Sequence, residues 1–409
     1  MIRGSLSLLG MLAAITIVSQ FFRTSNGVIG PELIRDLGLT PAELGIANGA
    51  FFLALGLAQI PVGMAFDRYG PRRTVTGLTI IAVAGALLHA LAFSAETLAL
   101  SRLLIGFGCA GSFMGAVVLC SRWFADRFTT VLSWVFAMSN LGAFMSATPL
   151  ATVSETVGWR WGFFAAAGVT ALVGLLFFTV VRDHPENADD VSGPNEALTD
   201  ILRGVLEVWQ TPGLLRVLAI HTFAYASMLT VLGLWAGPYL HDVHGLGAVA
   251  RGNVLLSMAV AQVIGILTYG PMDRIFNTRK HVVMAGAALT ITVLALLALI
   301  PQPPLWLAVG LLIALCYVTA YGIVIVAHGR SLFPDRLAGR GVTTVNIAQV
   351  VGAAILPVFT GAIIEVFAAP DGSAPEIAYR LAFAFIASML FLGLLVYSGA
   401  KDARPNPAI

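Results

Sequence analysis

The chain has 409 residues, 58% hydrophobic and only 11% charged, with a formal net charge of +2. A soluble domain carries about 25% charged residues, so a soluble enzyme is excluded and no nucleic-acid partner is expected. The apolar runs are about 20 residues long rather than alternating strands of about 10, which excludes a β-barrel and leaves an all-α membrane protein.

The first element is an apolar run from Leu6 to Ile29, preceded by Arg3. A cleavable signal has an apolar region of about 7–15 residues, so an uncleaved membrane helix is expected. Arg23 lies within it. A charge at that depth costs roughly 2.5–3.5 kcal/mol on insertion scales. Thr16, Ser19, Gln20, Asn26 and Gly27 stand three, four or seven residues away, on the same helical face. The pattern reads as a helix lining an aqueous path, with a cation placed for an anion. The competing reading is a structural arginine bonded to a neighbouring carbonyl or carboxylate.

Twelve spans follow in order, near 6–30, 44–66, 74–93, 98–120, 130–153, 161–181, 214–238, 251–271, 282–300, 305–328, 342–367 and 379–399. They divide into an N-terminal six-helix bundle (1–181), a cytoplasmic linker (182–213) and a C-terminal six-helix bundle (214–409). The linker holds His184-Pro185-Glu186-Asn187 and Gly193-Pro194, which are turn chemistry. Its second part, Leu198 to Trp209, sets Leu198, Ile201, Leu202, Val205, Leu206 and Trp209 on one face, as in a helix lying on the membrane surface. Arg and Lys crowd the segments on the side of both termini, while Arg35, Arg102, Arg160, Arg251 and Arg380 fall on the other side. The positive-inside rule then places both termini in the cytoplasm. The short tails, Met1 to Ser5 and Ala400 to Ile409, argue against a soluble signalling domain.

The halves repeat. Gly30-Pro31 matches Gly237-Pro238, Asp67-Arg68 matches Asp273-Arg274, Asp126-Arg127 matches Asp335-Arg336, and Pro149 matches Pro357, at offsets of 206 to 209. Two pseudo-symmetric bundles of this kind place a substrate site at their interface near the bilayer midplane. Cys109, Cys120 and Cys316 lie in or at the ends of apolar segments and read as packing residues, with no metal spacing. There is no phosphate-cradling loop, metal cluster or nucleophile–base pair, so neither enzyme chemistry nor a cofactor is expected.

Between the second and third spans stands Gly63-Met64-Ala65-Phe66-Asp67-Arg68-Tyr69-Gly70-Pro71-Arg72-Arg73. This closely resembles the signature loop of the major facilitator superfamily. The second half carries a decayed copy, Asp273-Arg274 to Arg279-Lys280, with Tyr269 and Phe276 in place of glycines. Arg102-Leu103-Leu104-Ile105-Gly106-Phe107-Gly108 resembles that family's arginine-glycine motif. The resemblance covers the whole chain and implies the major facilitator fold, with gating by Asp67, Arg68, Arg72, Arg73, Arg127, Asp273 and Arg274. Arg23 followed by Pro31 and Leu33 looks like the anion:cation symporters and organophosphate:phosphate antiporters, in which an arginine of the first helix holds the substrate anion. The antiporters' second arginine falls at Thr230 here, which favours a substrate with one negative charge, such as a monocarboxylate. Gly142 to Pro149 lacks the Gly-rich pattern of proton-antiporting drug exporters.

In that fold helices 1, 4, 7 and 10 line the path. The candidates beside Arg23 and Gln20 are then His221 and Tyr225 of helix 7, Tyr321 of helix 10 (with Tyr317 and His328 at matching spacing), Asn140 of helix 5, and Asn346 and Gln349 of helix 11. His221 and Arg102 are the candidates for proton coupling, since His titrates near 6.5. No carboxylate is expected mid-membrane. His89 reads as peripheral, and Glu155 and Glu365, matched at an offset of 210, as structural. The sequence therefore describes a secondary transporter of a small organic anion in a bacterial inner membrane. It would be a monomer in the bilayer that works with a coupling proton or an exchanged anion. The alternatives are an exporter of drugs or metabolites with the same fold, and a transporter-like receptor or assembly subunit that moves nothing.

Overall fold

The computed structural model describes residues 2–124, 127–184, 206–334 and 337–405. Every regular element among them is helical. Span 1 is made of Ile2–Thr24 and Asn26–Leu37, broken at Ser25. Span 2 runs from Pro41–Leu57 on to residue 69, and span 3 from 71 to 90. Gly70 separates them at φ 79°, a left-handed value that glycine adopts without strain. Span 4 is Ala95–Trp123, span 5 is Phe128–Met145 with Thr148–Thr156, and span 6 is Trp159–Val180. Span 7 is Leu214–Thr230, a π-helical turn Val231–Trp235 and Ala236–Asp242. Span 8 is Ala248–Tyr269 and span 9 Lys280–Leu299. Span 10 is Leu305–Val318, a 3₁₀ turn Thr319–Tyr321 and Gly322–Ser331. Spans 11 and 12 are Ala338–Glu365 and Glu376–Ser398. Most of the expected surface helix (198–209) lies outside the described residues; its end is helical, with Val208 buried and Trp209 exposed.

Local chemistry sets the ends. Thr40 starts span 2 with a capping box: its Oγ1 accepts the Glu43 N–H, while its own N–H donates to Glu43 Oε2 at 2.8 Å. Asp183, just past span 6, accepts the Arg72 N–H at 2.7 Å and so caps span 3. Asp402, past span 12, does the same for span 9. It accepts the N–H groups of Arg279 and Lys280 and the Thr278 hydroxyl, at 3.2, 2.9 and 2.7 Å. Partial burial raises the Asp402 carboxyl, but these hydrogen bonds outweigh it and hold the group below its ordinary value. The internal repeat thus extends to the caps.

The breaks in spans 1, 5, 7 and 10 matter for function. Helices interrupted inside a membrane expose backbone groups and change direction where a site is built. Two of these breaks are tied together, because Thr24 Oγ1 lies 2.7 Å from Ser146 Oγ.

Candidate functional site

Burial changes abruptly along the two central helices. Residues 24–31 of span 1 and 226–240 of span 7 are all buried, whereas Gly10, Ala14, Ile17, Gln20 and Arg23 keep accessible surface. Asn26–Leu37 packs on both Val231–Trp235 and Ala236–Asp242, while the earlier half of span 1 has no comparable contact with Leu214–Thr230. The two halves therefore meet tightly at the Pro31 end and separate toward the Asp67 end.

Glycine makes the close contact. A Cβ on Gly237 would collide with the Gly27 carbonyl, and one on Gly27 with the Leu232 carbonyl. The same end is latched by polar groups from both halves. Glu155 Oε2 accepts the Val249 N–H and Glu365 Oε2 accepts the Ala42 N–H, each at 3.2 Å. Each carboxylate caps a helix of the opposite half, where a negative charge meets the helix dipole. The two glutamates expected to be structural are a symmetric pair of cross-interface caps.

Arg23 sits at the last turn of the open segment, directly below this closed zone. Its guanidinium carbon lies 5.0 Å from the Phe113 ring centroid of span 4. Phe113 in turn meets Phe136 of span 5, edge to face at 5.3 Å. The Arg23 Nε is buried without a hydrogen-bond partner. Among the described residues no carboxylate pairs with it. The polar stripe expected around it divides. Gln20 shares its partial exposure, but Thr16, Ser19 and Asn26 are fully buried. Thr16 spends its hydroxyl on the Leu12 and Ala13 carbonyls, and Gly27 serves the helix contact. Residues on one helical face divide between accessible and enclosed positions because span 1 is packed by spans 4, 5 and 6.

Arg102 has the opposite environment. It is fully buried, donates from Nη1 to the Phe22 carbonyl at 2.7 Å and from Nη2 to Asn48 Oδ1 at 3.2 Å, and lies over the Phe51 ring at 4.7 Å. The Phe22 carbonyl is one that the break at Ser25 deprives of a helical partner. These contacts describe an arginine that fastens the end of the first helical segment. Asn48 was not among the expected residues, although a lone Asn in an apolar span signals such a partner.

The remaining candidates are scattered. Tyr225, Asn140, Asn346 and Gln349 are part-exposed. Asn140 donates back to the Phe136 carbonyl of its own helix at 3.2 Å. His221 is buried, and neither ring nitrogen has a hydrogen-bond partner. Tyr321 is fully enclosed, its ring pressed against Gly286 of span 9. His328 is engaged with the Tyr397 hydroxyl at 2.6 Å. His89 lies between spans, stacked on Phe163 at 3.7 Å and 3.2 Å from Ser101 Oγ. Thr230, where a second cation would stand, is buried with an unpartnered hydroxyl.

At the Asp67 end the loops do not reach across. Arg72 stays within its half, its Nε donating to the Phe178 carbonyl at 2.6 Å. Arg68 lies over Tyr69, and Arg127 is exposed. Asp273 pairs with Arg279 of its own loop at 3.2 Å, and Arg274 is exposed. Arg73 is exposed. Asp67 is exposed and, among the described residues, has neither hydrogen bond nor ion pair. An aspartate that pairs only when this end is closed should be free here. Asp67→Asn is then expected to slow turnover several-fold while leaving substrate affinity within about twofold, since it shifts populations rather than contacts. Normal turnover, or affinity lost as badly as in an Arg23 variant, would remove Asp67 from the gate.

Comparison with known proteins gives a consistent picture. The chain is 25% identical over 357 residues to the gentisate transporter of Corynebacterium glutamicum, covering 82% of this chain and 76% of that protein. It is 22% identical over 419 residues to the D-galactonate transporter of Escherichia coli O6:H1, covering 94% of each. Among solved structures it superposes on a bacterial homologue of the human lysosomal transporter Spinster, inward-facing and unoccupied, with TM-score 0.78, 18% identity and 98% of both chains covered. The relatives and neighbours are transporters, not enzymes. The sequence profile of the Major Facilitator Superfamily matches residues 12–326 and 250–408, and with this twelve-span duplicated fold the chain belongs to that superfamily.

Proposed function

We propose that the protein is a secondary transporter of a small organic anion bearing one negative charge, a monocarboxylate in particular. The half 1–181 rocks against the half 214–409 about Arg23, with 182–213 as a cytoplasmic linker and both termini in the cytoplasm of a bacterial inner membrane. The observation that supports this reading is the state of Arg23: a cation at membrane depth, held over Phe113 with a buried unpartnered Nε and, among the described residues, no counter-charge. A carboxylate matches its planar fork with two charge-assisted hydrogen bonds. Thr230 supplies no second positive charge, which disfavours phosphate esters. The relatives' names, gentisate and galactonate among them, are those of organic anions.

The test is a thermal-shift series on the purified protein with gentisate, galactonate, a sugar phosphate and a hydrophobic quaternary ammonium ion. A ligand that binds only the folded state stabilises it by about 2.7 kcal/mol at a hundred times its Kd. One or more monocarboxylates should raise the melting temperature of the wild type and leave that of Arg23→Ala unmoved. Stabilisation by the quaternary ammonium ion alone would instead make the protein a cation exporter.

A further inference from the structure

A groove of about 430 Å³ runs down the outside of the first half. Val62 and Ala65 of span 2 form one wall, Gly77 and Ile81 of span 3 the other, and Phe107 of span 4 the floor. Span 2 turns Gly45 and Gly49 toward span 11, where a Cβ would meet the Pro357 and Ala354 carbonyls. Val62 and Ala65 fall on the opposite face of that helix. Leu53, Leu57, Ile60 and Met64 stand exposed between the two faces. The groove therefore opens to lipid and not to the cavity between the halves.

Gly77 makes the hollow. A glycine inside a helix costs stability relative to alanine, so its place in span 3 needs a reason. Gly85 and Gly108 are spent on the crossing of spans 3 and 4, against Ile105 and Ala82. A Cβ on Gly77 would meet nothing within 4 Å. Its effect is to leave space on a face turned to the bilayer.

The groove ends at a charge. Arg72 and Arg73 are adjacent but part ways. Arg72 turns to span 6, donating to the Phe178 carbonyl and lying over the Phe178 ring at 4.5 Å. Arg73 lines the groove, is exposed, and has no hydrogen bond or ion pair among the described residues. Tyr69 stands beside it, exposed, with Arg68 over its ring at 5.4 Å. Thr74 Oγ1 donates to the Ala65 carbonyl at 3.1 Å and ties the two walls together. The nearby carboxylates are Asp67, exposed in the same loop, and Asp183, which accepts the Arg72 N–H. Arg68, Arg72 and Arg73 outnumber them, so the mouth of the groove is positive. From Arg73 to Ile81 the helix rises about 12 Å, against about 15 Å for the hydrocarbon of one leaflet. The groove has the reach of one acyl chain, with a free cation at headgroup level.

We propose that this groove is a specific site for one anionic phospholipid of the leaflet at the Asp67 end. The phosphate sits on the Arg73 guanidinium, whose planar fork matches it with charge-assisted hydrogen bonds. One acyl chain lies over Gly77 against Phe107. A basic pocket between membrane helices selects a headgroup of net negative charge, whereas a zwitterionic one brings its own cation among Arg68 and Arg73. The inference needs neither the substrate nor the orientation of the chain.

The test is native mass spectrometry of the full chain, delipidated in detergent. It is titrated with dioleoyl lipids that differ only in headgroup: phosphatidylglycerol, phosphatidylcholine and phosphatidylethanolamine. The first phosphatidylglycerol should bind at least about fivefold more tightly than either zwitterionic lipid, the worth of one arginine near an anionic headgroup. Arg73→Gln should erase that preference. Arg274→Gln, the same change at an exposed position of the matching loop, should leave it intact. Gly77→Leu, which fills the hollow, should weaken the first binding of all three lipids while the lipid-free protein melts no lower than its parent. Arg73→Gln, at an exposed position, decides alone should Gly77→Leu fail to fold. Three results each overturn the proposal: equal binding of the three lipids by the parent, an unchanged preference in Arg73→Gln, or a loss in Arg274→Gln as large as in Arg73→Gln. A folded Gly77→Leu protein that binds phosphatidylglycerol like its parent does so too.

Discussion

Replacing Arg23 by alanine is expected to cut anion transport to near background and to leave the fold intact. Two parts of the structure set this expectation. Among the described residues Arg23 has no carboxylate or carbonyl to lose, only a cation–π contact with Phe113, worth about 0.5–2 kcal/mol. Removing a membrane-depth charge recovers more than that in insertion energy, so the melting temperature should hold or rise. The substrate, in contrast, loses a charge-assisted partner in a desolvated site, a loss of about 2–5 kcal/mol. Transport at sub-saturating substrate should fall by a factor of roughly thirty to several thousand. Arg23→Lys keeps the charge but not the planar fork, and should retain a small residual rate. Arg102→Ala is the control with opposite signs. It leaves the Phe22 carbonyl only the long contact with the Ser25 hydroxyl and leaves Asn48 Oδ1 without its donor, and should destabilise the protein. Wild-type uptake by Arg23→Ala would show that Arg23 is structural and end the anion-site reading.

The fold was legible in the sequence because its signals are local. Apolar runs of the right length, the Gly70 loop and the matched Gly-Pro and Asp-Arg pairs each need only a short window. Arg23 was legible for the same reason, since a charge in an apolar helix is visible wherever its neighbours lie. What the sequence did not show depends on partners distant in the chain. Glu32 carries no signal of its own in the sequence, because its partner Arg251 lies 219 positions away. Arg102 looked like a coupling residue until Phe22 and Asn48 were found around it. Tyr321 sits at helical spacing from Tyr317, yet faces Gly286 of span 9, because the 3₁₀ turn Thr319–Tyr321 rotates the face that strict α periodicity assigns. His221 remains a buried imidazole with two unpartnered nitrogens, for which the structure gives no role.

Gly237→Val is the second substitution with a large expected effect, and it acts by geometry alone. Gly237 packs on the Gly27 backbone, where even a Cβ would overlap the carbonyl oxygen. The contact exists only while the Pro31 end is closed. Each half also has its own interhelical packing away from this crossing, so each half can still fold. Forcing extra atoms into a packed contact costs about 1–3 kcal/mol, and each 1.4 kcal/mol is a factor of ten in population. The closed state should therefore be depleted by roughly one to two orders of magnitude. Transport should fall with it, because a cycle that cannot close one end cannot open the other. Val28, now 1% exposed beside the contact, supplies the readout. In a background free of the native cysteines, Val28→Cys should be protected from an impermeant maleimide added at the Pro31 side. Adding Gly237→Val should make it react at least about tenfold faster. Substrate binding to detergent-solubilised protein should survive, since Arg23 is untouched. Protection of Val28→Cys in the Gly237→Val protein, together with normal transport, would mean that the glycine crossing is not where this end closes.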